Sequence, residues 1–302
     1  MQREQKHWLS LALQVKGSVI PLIWNRVLGC GLFAVLISGA YFLKLPVSQP
    51  VFGSIIPSIV LGLLLVFRTN TAYERFWEGR KLWSGLVTNI RNLARQIWVA
   101  VPENDPEARA RKIYALKLMI AFAVATKMQL RGEPVNAELE GLLSSSHYLK
   151  LKTMNQPTLE IAFWIGDYIQ QEYNRQSFSA PQLAGLHSLL NNMLDQLAGC
   201  ERIVKTPMPL AYAIHLKQLL LLYCLLLPFQ LVSALGWWTA PVVSLVSFTL
   251  FGIEEIGIEI ENPFGYDAND LPLDAICAKI WRNIEDLITL TPGEKESRKE
   301  SI

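Results

Sequence analysis

Four long apolar stretches constrain this chain more than any other feature of its sequence. They cover about residues 27–43, 51–67, 219–235 and 240–258. A helix that crosses a membrane needs about 20 mainly apolar residues, and about 17 suffice where flanking side chains reach the interface. The last two stretches are separated by Gly236, Trp237 and Trp238, and tryptophan is typical of the membrane interface. The pattern predicts four membrane spans arranged as two helical hairpins.

The composition supports a membrane protein and excludes several other classes. Of 302 residues, 51% are apolar and 18% are charged, which is too apolar for an ordinary soluble domain. A net charge of +2 gives no electrostatic reason to expect a nucleic-acid partner. The four cysteines are far apart and indicate neither a disulfide framework nor a zinc site.

Positive charges predict the orientation in the membrane. The connections within the two hairpins carry at most Lys44, whereas many cations follow the second span: Arg68, Arg75, Arg80, Lys81, Arg91 and Arg95. Because loops rich in lysine and arginine stay in the cytoplasm, we expect residues 68–217 and both termini to be cytoplasmic.

The region between the hairpins has helical periodicity throughout. Residues 72–99, 157–175 and 181–204 have apolar positions at amphipathic spacing, as in a helical bundle. Residues 112–130 are apolar enough for a fifth span, but Lys117 and Lys127 would be costly inside a bilayer, so we expect this segment outside it. No alternating strand pattern occurs, and the predicted fold class is all-α. Residues 292–302 are rich in charged residues and are predicted to be disordered.

Motifs for enzymatic chemistry are missing from the sequence. It contains no GxGxxG or GxxxxGK[ST] fingerprint, no HExxH and no GxSxG elbow. His7, His147, His187 and His215 are scattered. We therefore predict that the chain is not an enzyme.

Within the second span, Ile59, Leu63 and Phe67 follow at i, i+4 and i+8, which places them on one helix face. We call these three residues the ridge. One interpretation is ordinary lipid contact or helix packing, since any apolar helix has such a face. The other is that several copies surround an axis, so that each ridge residue becomes a ring of an apolar constriction that gates by dewetting.

An acidic segment begins at residue 254, where the apolar part of the fourth stretch, residues 240–253, ends. Glu254, Glu255, Glu259 and Glu261 either lie near lipid as functional acids or form a solvated helix end. The next residues, 262–270, place asparagine and aspartate oxygens along a glycine-containing turn, which suits a hard cation such as calcium. Asp270 alternatively caps a helix that begins near Leu271.

Three segments, residues 68–83, 207–212 and 262–270, carry a resemblance to a known family. With them the chain resembles a bacterial member of the bestrophin family over nearly its whole length, as a single domain of residues 1–302. The resemblance implies a homopentameric ion channel in the bacterial inner membrane with one axial pore. It assigns Ile59, Leu63 and Phe67 to a narrow neck and Met208 to a second constriction at the cytosolic exit.

The resemblance also implies a calcium clasp near the boundary between membrane and cytosol. The family's ligand side chains correspond to Glu259, Asn262, Asp267 and Asp270, together with backbone carbonyls. Glu259 stands where the family has glutamine, and this departure leaves open whether the segment binds calcium or is only structural.

The sign of the permeant ion stays open at this point. The animal relatives are chloride channels with two aromatic rings in the neck, and ring edges present positive charge to an anion. This chain keeps only Phe67, so a channel for monovalent cations is the alternative to one for chloride. A secondary transporter and a membrane scaffold are further alternatives; the expected partners of the channel are membrane lipid and permeant monovalent ions.

Overall fold

The computed structural model describes Ser10 and residues 13–49, 55–103 and 106–290. These residues form helices and contain no strand, which confirms the all-α class. The helices are α1 (Ile20–Phe42), α2 (Ile55–Ala100), α3 (Pro106–Arg131), α4 (Ala137–Glu140), α5 (Ser145–Leu151), α6 (Pro157–Asn174), α7 (Ala180–Lys205), α8 (Leu210–Leu235), α9 (Thr239–Glu259) and α10 (Leu273–Thr289). The predicted disordered segment 292–302 lies outside the described residues.

The chain divides into two compact units, and it enters each of them twice. Unit 1 comprises Met1–Trp77 and Thr206–Asp270, and unit 2 comprises Glu78–Lys205 and Leu271–Ile302. Neither unit is a continuous piece of sequence. The single domain expected over residues 1–302 stays a prediction.

Unit 1 contains the helices of the predicted hairpins. Its core is an apolar cluster from α1, the first part of α2, α8 and α9. Gly31 permits close packing of α1 on α9, because a Cβ at this position would come within 2.5 Å of the Ser244 hydroxyl oxygen. Helices α8 and α9 are joined by a short 3₁₀ turn, Gly236–Trp238. Gly236 has a positive φ of 53° there, and the Phe42 ring stacks on Trp237.

Four helical segments are long and apolar enough to cross a membrane: Ile20–Phe42, Ile56–Ala100, Pro106–Arg131 and Leu210–Glu259. The last contains both α8 and α9. Helix α1 begins seven residues before the first predicted span, because Pro21 fits a first helical turn and neither Asn25 nor Arg26 interrupts it.

Helix α3 is apolar but lies in the core of unit 2. Of its most apolar 18-residue window 78% is buried, against 33% for α1 and 22% for α2. The buried Lys127 ammonium donates to Glu138 at 2.7 Å and to Asp274 at 2.9 Å. These contacts support the expectation that the apolar stretch of α3 packs inside a helical bundle instead of facing lipid.

Candidate functional site: an apolar ridge and a charged cluster

The ridge lies on the exposed side of α2. Ile59, Leu63 and Phe67 are 52%, 53% and 62% exposed, whereas Leu61 and Leu65 on the packed side are each 2% exposed. A helix with one buried stripe and one exposed apolar stripe has its own core on one side only. The exposed stripe is therefore available to lipid or to other copies of the chain.

The segment that carries Met208 is fixed to α2 by polar contacts. The Met208 backbone N–H donates to Glu261 Oε1 at 2.8 Å, and Arg75 Nε donates to the Glu261 carbonyl at 3.1 Å. Tyr212 at the start of α8 donates its hydroxyl to the Leu64 carbonyl at 2.8 Å. Met208 itself is half-buried. The residue predicted for the second constriction is thus held in a defined register against the helix that carries the ridge.

The charged residues that follow the ridge along α2 differ in their exposure and in their partners. Arg68, which follows Phe67, turns away from the ridge and is 3% exposed. Glu74 lies seven residues after Phe67 on the same helix face and is exposed. In unit 2, Glu78 forms an ion pair with Arg202. Glu74 is thus an exposed carboxylate on the continuation of the ridge.

A buried charged cluster lies at the end of the apolar part of unit 1. The Glu254 side chain is 2% exposed, and three cations surround it: Arg26 at 3.6 Å, Arg68 at 3.8 Å and Lys217 at 3.9 Å. Arg26 also donates to Glu255 at 2.8 Å. Glu254 and Glu255 are therefore not a solvated helix end, because both are buried among the helices.

The polar groups of this cluster are only partly satisfied. Among the described residues, Glu254 Oε1 and the Nε and Nη1 groups of Arg68 have no hydrogen-bond partner. The second nitrogen of the Arg68 fork, Nη2, lies 3.6 Å from Glu261 Oε2. Buried charges without hydrogen bonds are costly, so this cluster has capacity for a further polar partner.

The predicted calcium ligands are brought together in part. Asp267 donates its backbone N–H to Asp270 Oδ2 at 2.8 Å, and Asn262 Oδ1 accepts from the Phe264 backbone at 3.4 Å. Glu259 lies on α9, and its Oε2 accepts a hydrogen bond from Asn269 at 2.7 Å. Asp267 and Asp270 are therefore in contact, Asn262 bonds to the neighbouring Phe264, and Glu259 reaches the same segment through Asn269.

The predicted clasp relies on an asparagine amide and backbone carbonyls as well as on carboxylates. In the described part of the chain, no group of three or more histidine, cysteine, aspartate or glutamate side chains is placed to hold a metal ion. Oε2 of Glu259 accepts an amide N–H from Asn269, so a metal ion would bind the other oxygen of this carboxylate or replace this contact. Calcium binding stays a prediction.

Sequence reasoning singled out Glu254 and Glu255 but missed their partners. Arg26, Lys217 and Glu254 each lie where the apolar part of a different stretch begins or ends. The sequence could have placed these three charges at one membrane face, because antiparallel spans bring alternate ends to the same side. It could not have shown which side chains pair, since Arg26 and Glu255 are 229 positions apart.

The fold and the site define a class of protein. It is that of helical multi-pass membrane proteins with an exposed apolar stripe and a buried charged cluster at the end of the apolar helices. Residues 1–286 match the family described as Bacterial/Fungal Bestrophin protein, and the chain belongs to this family.

Known relatives are similar over nearly the full length. A voltage-dependent anion channel-forming protein of Nostoc sp. (strain PCC 7120) is 66% identical over 289 residues, 96% of this chain and 94% of the relative. The voltage-dependent anion channel-forming protein YneE of Escherichia coli is 34% identical over 280 residues, 92% and 90% of the two chains. A crystal structure of a bacterial bestrophin homolog from Klebsiella pneumoniae matches with a TM-score of 0.80 at 31% identity, covering 89% of this chain and 100% of that one.

Proposed function

We propose that this chain forms an anion channel, as a homopentamer in the bacterial inner membrane with both termini in the cytoplasm. Ions pass rings of Ile59, Leu63 and Phe67 and leave past Met208. The observation that carries the proposal is the exposure of the ridge on a helix whose opposite face is buried. The names of the relatives support anion conduction and its dependence on voltage.

The apolar ridge suits a gate. A narrow apolar passage sheds water, and an ion cannot readily enter a dry stretch. Because Glu261 contacts both Arg68 and the Met208 segment, a shift of α2 at the neck is transmitted to the second constriction. The two constrictions then move together.

Planar-bilayer recording of the purified protein under a salt gradient tests the proposal. We expect discrete current steps and a reversal potential of the sign set by anions. Leu63→Ala is expected to raise the conductance several-fold, because it widens an apolar ring, and Met208→Ala is expected to change the conductance or the selectivity. The matched control is Leu36→Ala on α1, an equally apolar side chain that is 69% exposed and off the ridge.

Several outcomes would contradict the proposal. Currents unchanged in both Leu63→Ala and Ile59→Ala would remove the ridge from the ion path. A monomer in solution, instead of a particle of five 34.1 kDa chains, would contradict the channel. A bilayer that stays silent with wild type and with Leu63→Ala would favour a transporter or a scaffold.

A monovalent cation channel is the second candidate, and Glu74 is the observation that favours it. Five exposed carboxylates following the neck would form a ring that attracts cations. The reversal potential distinguishes the two candidates directly. A cation-selective protein whose selectivity falls in Glu74→Gln would replace the anion channel with this alternative.

A further inference from the structure

A half-open cavity of about 430 Å³ lies in unit 1 beside the charged cluster. Its volume is within the range in which proteins hold small ligands. Helix α1 contributes Arg26 and Gly29 to its lining, α8 contributes Lys217 and Leu221, and α9 contributes Glu254. The cavity therefore has a charged part and an apolar part, built from three of the helices that make the core of unit 1.

The charged part lies at one end of the apolar stretches. Arg26 immediately precedes the first stretch, Lys217 lies two residues before the third, and Glu254 follows the apolar part of the fourth. If these stretches cross a bilayer, the three charges lie at one interface, at the depth of lipid headgroups. The apolar wall, which includes Leu220, Leu221 and Leu225, then runs from that interface toward the hydrocarbon.

The cations of the cavity can bind an anion. Arg26 and Lys217 have side chains that are 45% and 56% exposed. Lys217 Nζ is 3.9 Å from Glu254 Oε1, which is beyond hydrogen-bond distance, so the ammonium donors are not used up by this ion pair. Arg26 uses one N–H toward Glu255, and a guanidinium carries five donors. A phosphate between the two side chains would accept charge-assisted hydrogen bonds from both.

The buried carboxylate of Glu254 can accept a further hydrogen bond. Glu254 Oε1 has no hydrogen-bond partner among the described residues although its side chain is 2% exposed. A ligand with a phosphate alone would leave this oxygen unsatisfied. A ligand whose phosphate is followed by a hydroxyl group satisfies the cations and the carboxylate together.

We propose that this cavity binds an anionic phospholipid with a hydroxyl-bearing headgroup, of which phosphatidylglycerol is the simplest example. The phosphate lies between Arg26 and Lys217, a headgroup hydroxyl donates to Glu254, and an acyl chain follows Leu221, which is 51% exposed. A whole phospholipid is larger than the cavity, so only the headgroup and the start of one chain lie inside. This is a specific site, distinct from general lipid contact around the spans, and it does not depend on the channel proposal.

Native mass spectrometry of the delipidated full-length protein in detergent tests the site. Dioctanoyl phosphatidylglycerol is expected to bind at one molecule per chain, at least tenfold more tightly than dioctanoyl phosphatidylcholine, which has no headgroup hydroxyl and no net charge. Glycerol 3-phosphate, a soluble phosphate ester, is the third probe and is expected to bind at least tenfold more weakly than the phosphatidylglycerol, because it has no acyl chain to lie along Leu221. Equal binding of the two lipids would overturn the proposal, and equal binding of glycerol 3-phosphate would assign the site to a soluble phosphate ester.

Two variants probe the two parts of the cavity separately. Lys217→Gln removes one phosphate contact and is expected to weaken phosphatidylglycerol binding about tenfold. Gly29→Leu fills the apolar part, because a Cβ at Gly29 meets no atom within 4 Å, and it is expected to abolish binding. Leucine has a higher helix propensity than glycine, so a loss of binding in this variant would not be explained by a destabilised helix.

The matched controls are Lys279→Gln and Gly185→Leu in unit 2. Lys279 is an exposed cation on α10, and Gly185 on α7 also has open space around its Cβ position. Both controls are expected to bind phosphatidylglycerol as wild type does. Wild-type binding in Lys217→Gln and Gly29→Leu, or equal losses in the controls, would show that the lipid binds elsewhere.

Discussion

Helix α3 of unit 2 and helix α1 of unit 1 are both apolar enough to cross a membrane, but their surroundings differ. The apolar window of α3 is 78% buried by other parts of the chain, and that of α1 is 33% buried. Unit 2 covers its most apolar helix by itself, whereas unit 1 leaves most of its apolar surface to be covered by lipid or by further copies. Hydropathy alone therefore does not identify a span; the buried fraction separates a core helix from one that needs an apolar solvent.

The buried charges of the two units differ in the same way. Lys127 in unit 2 makes two hydrogen bonds to carboxylates, at 2.7 and 2.9 Å. Arg68 and Glu254 in unit 1 approach to 3.8 Å without a hydrogen bond. The contacts of Lys127 hold α3 against α4 and α10 within unit 2. The looser cluster of unit 1 keeps donors and an acceptor available at the expected membrane boundary.

The largest effect is expected where the two apolar helices are compared directly. Phe122→Ala in α3 removes a side chain that is fully buried and should lower the free energy of unfolding by about 3–5 kcal/mol. Leu36→Ala in α1, at a position 69% exposed, should change it by less than about 0.5 kcal/mol. Denaturant unfolding of the full-length protein in detergent, followed by tryptophan fluorescence, measures both. Equal losses would contradict the distinction between the two helices.

The buried cluster of unit 1 should give the next largest effect. Arg68→Met removes a guanidinium that is 3% exposed and leaves Glu254 with Arg26 and Lys217 beyond hydrogen-bond distance. We expect a loss of about 3 kcal/mol, because the remaining buried carboxylate is poorly compensated. Exposed Arg80→Met is the control.

A second substitution separates the charge from the shape of Arg68. Glu254→Gln in the Arg68→Met background removes the uncompensated carboxylate and should restore part of the lost stability. The same unfolding measurement applies. If the double variant is as unstable as the sum of the single variants, the two side chains do not interact and the cluster is not a unit.

The sequence was sufficient for features that depend on local spacing. The i, i+4, i+8 pattern of Ile59, Leu63 and Phe67 follows from the helical period, and the cost of Lys127 inside a bilayer kept α3 out of the set of spans. What could not be predicted depends on distant pairs. The exposure of the ridge depends on which helices cover the other side of α2, and Lys127 meets Asp274 across 147 positions.

Removing the ion pair between Lys127 of α3 and Asp274 of α10 should have a smaller effect on stability. The Lys127 hydrogen bond, together with Arg131, holds the pKa of Asp274 below its usual range. Asp274→Asn should cost about 1 kcal/mol near neutral pH, since Asp274 is 64% exposed and Lys127 keeps Glu138. A carboxyl group whose pKa is lowered in the folded protein stabilises the fold at pH values above its usual pKa of 3.8. That stabilisation is lost as the pH falls through the lowered pKa.

The advantage of wild type over Asp274→Asn should therefore shrink when unfolding is measured at about pH 3 instead of about pH 7. Asp286→Asn, an exposed carboxylate on the same helix α10, provides the control and should change stability little at either pH. A difference between wild type and Asp274→Asn that does not depend on pH would contradict the role of this ion pair.

The smallest effect is expected at His147 in unit 2. Burial, followed by the nearby positive charge of Lys150, lowers the pKa of the His147 imidazole. The ring stacks on Trp164 with centroids 3.8 Å apart, and its Nδ1 lies 2.6 Å from the Tyr114 hydroxyl.

A histidine that is harder to protonate in the folded state takes up its proton more readily after unfolding. The resulting stabilisation is present above the usual pKa of 6.5 and is lost as the pH falls through the lowered value. Stability should thus decline between about pH 7 and about pH 5, and His147→Gln should flatten that slope while His187→Gln leaves it unchanged. If the slope survives in His147→Gln, another group is responsible, and the stacked histidine contributes only through packing.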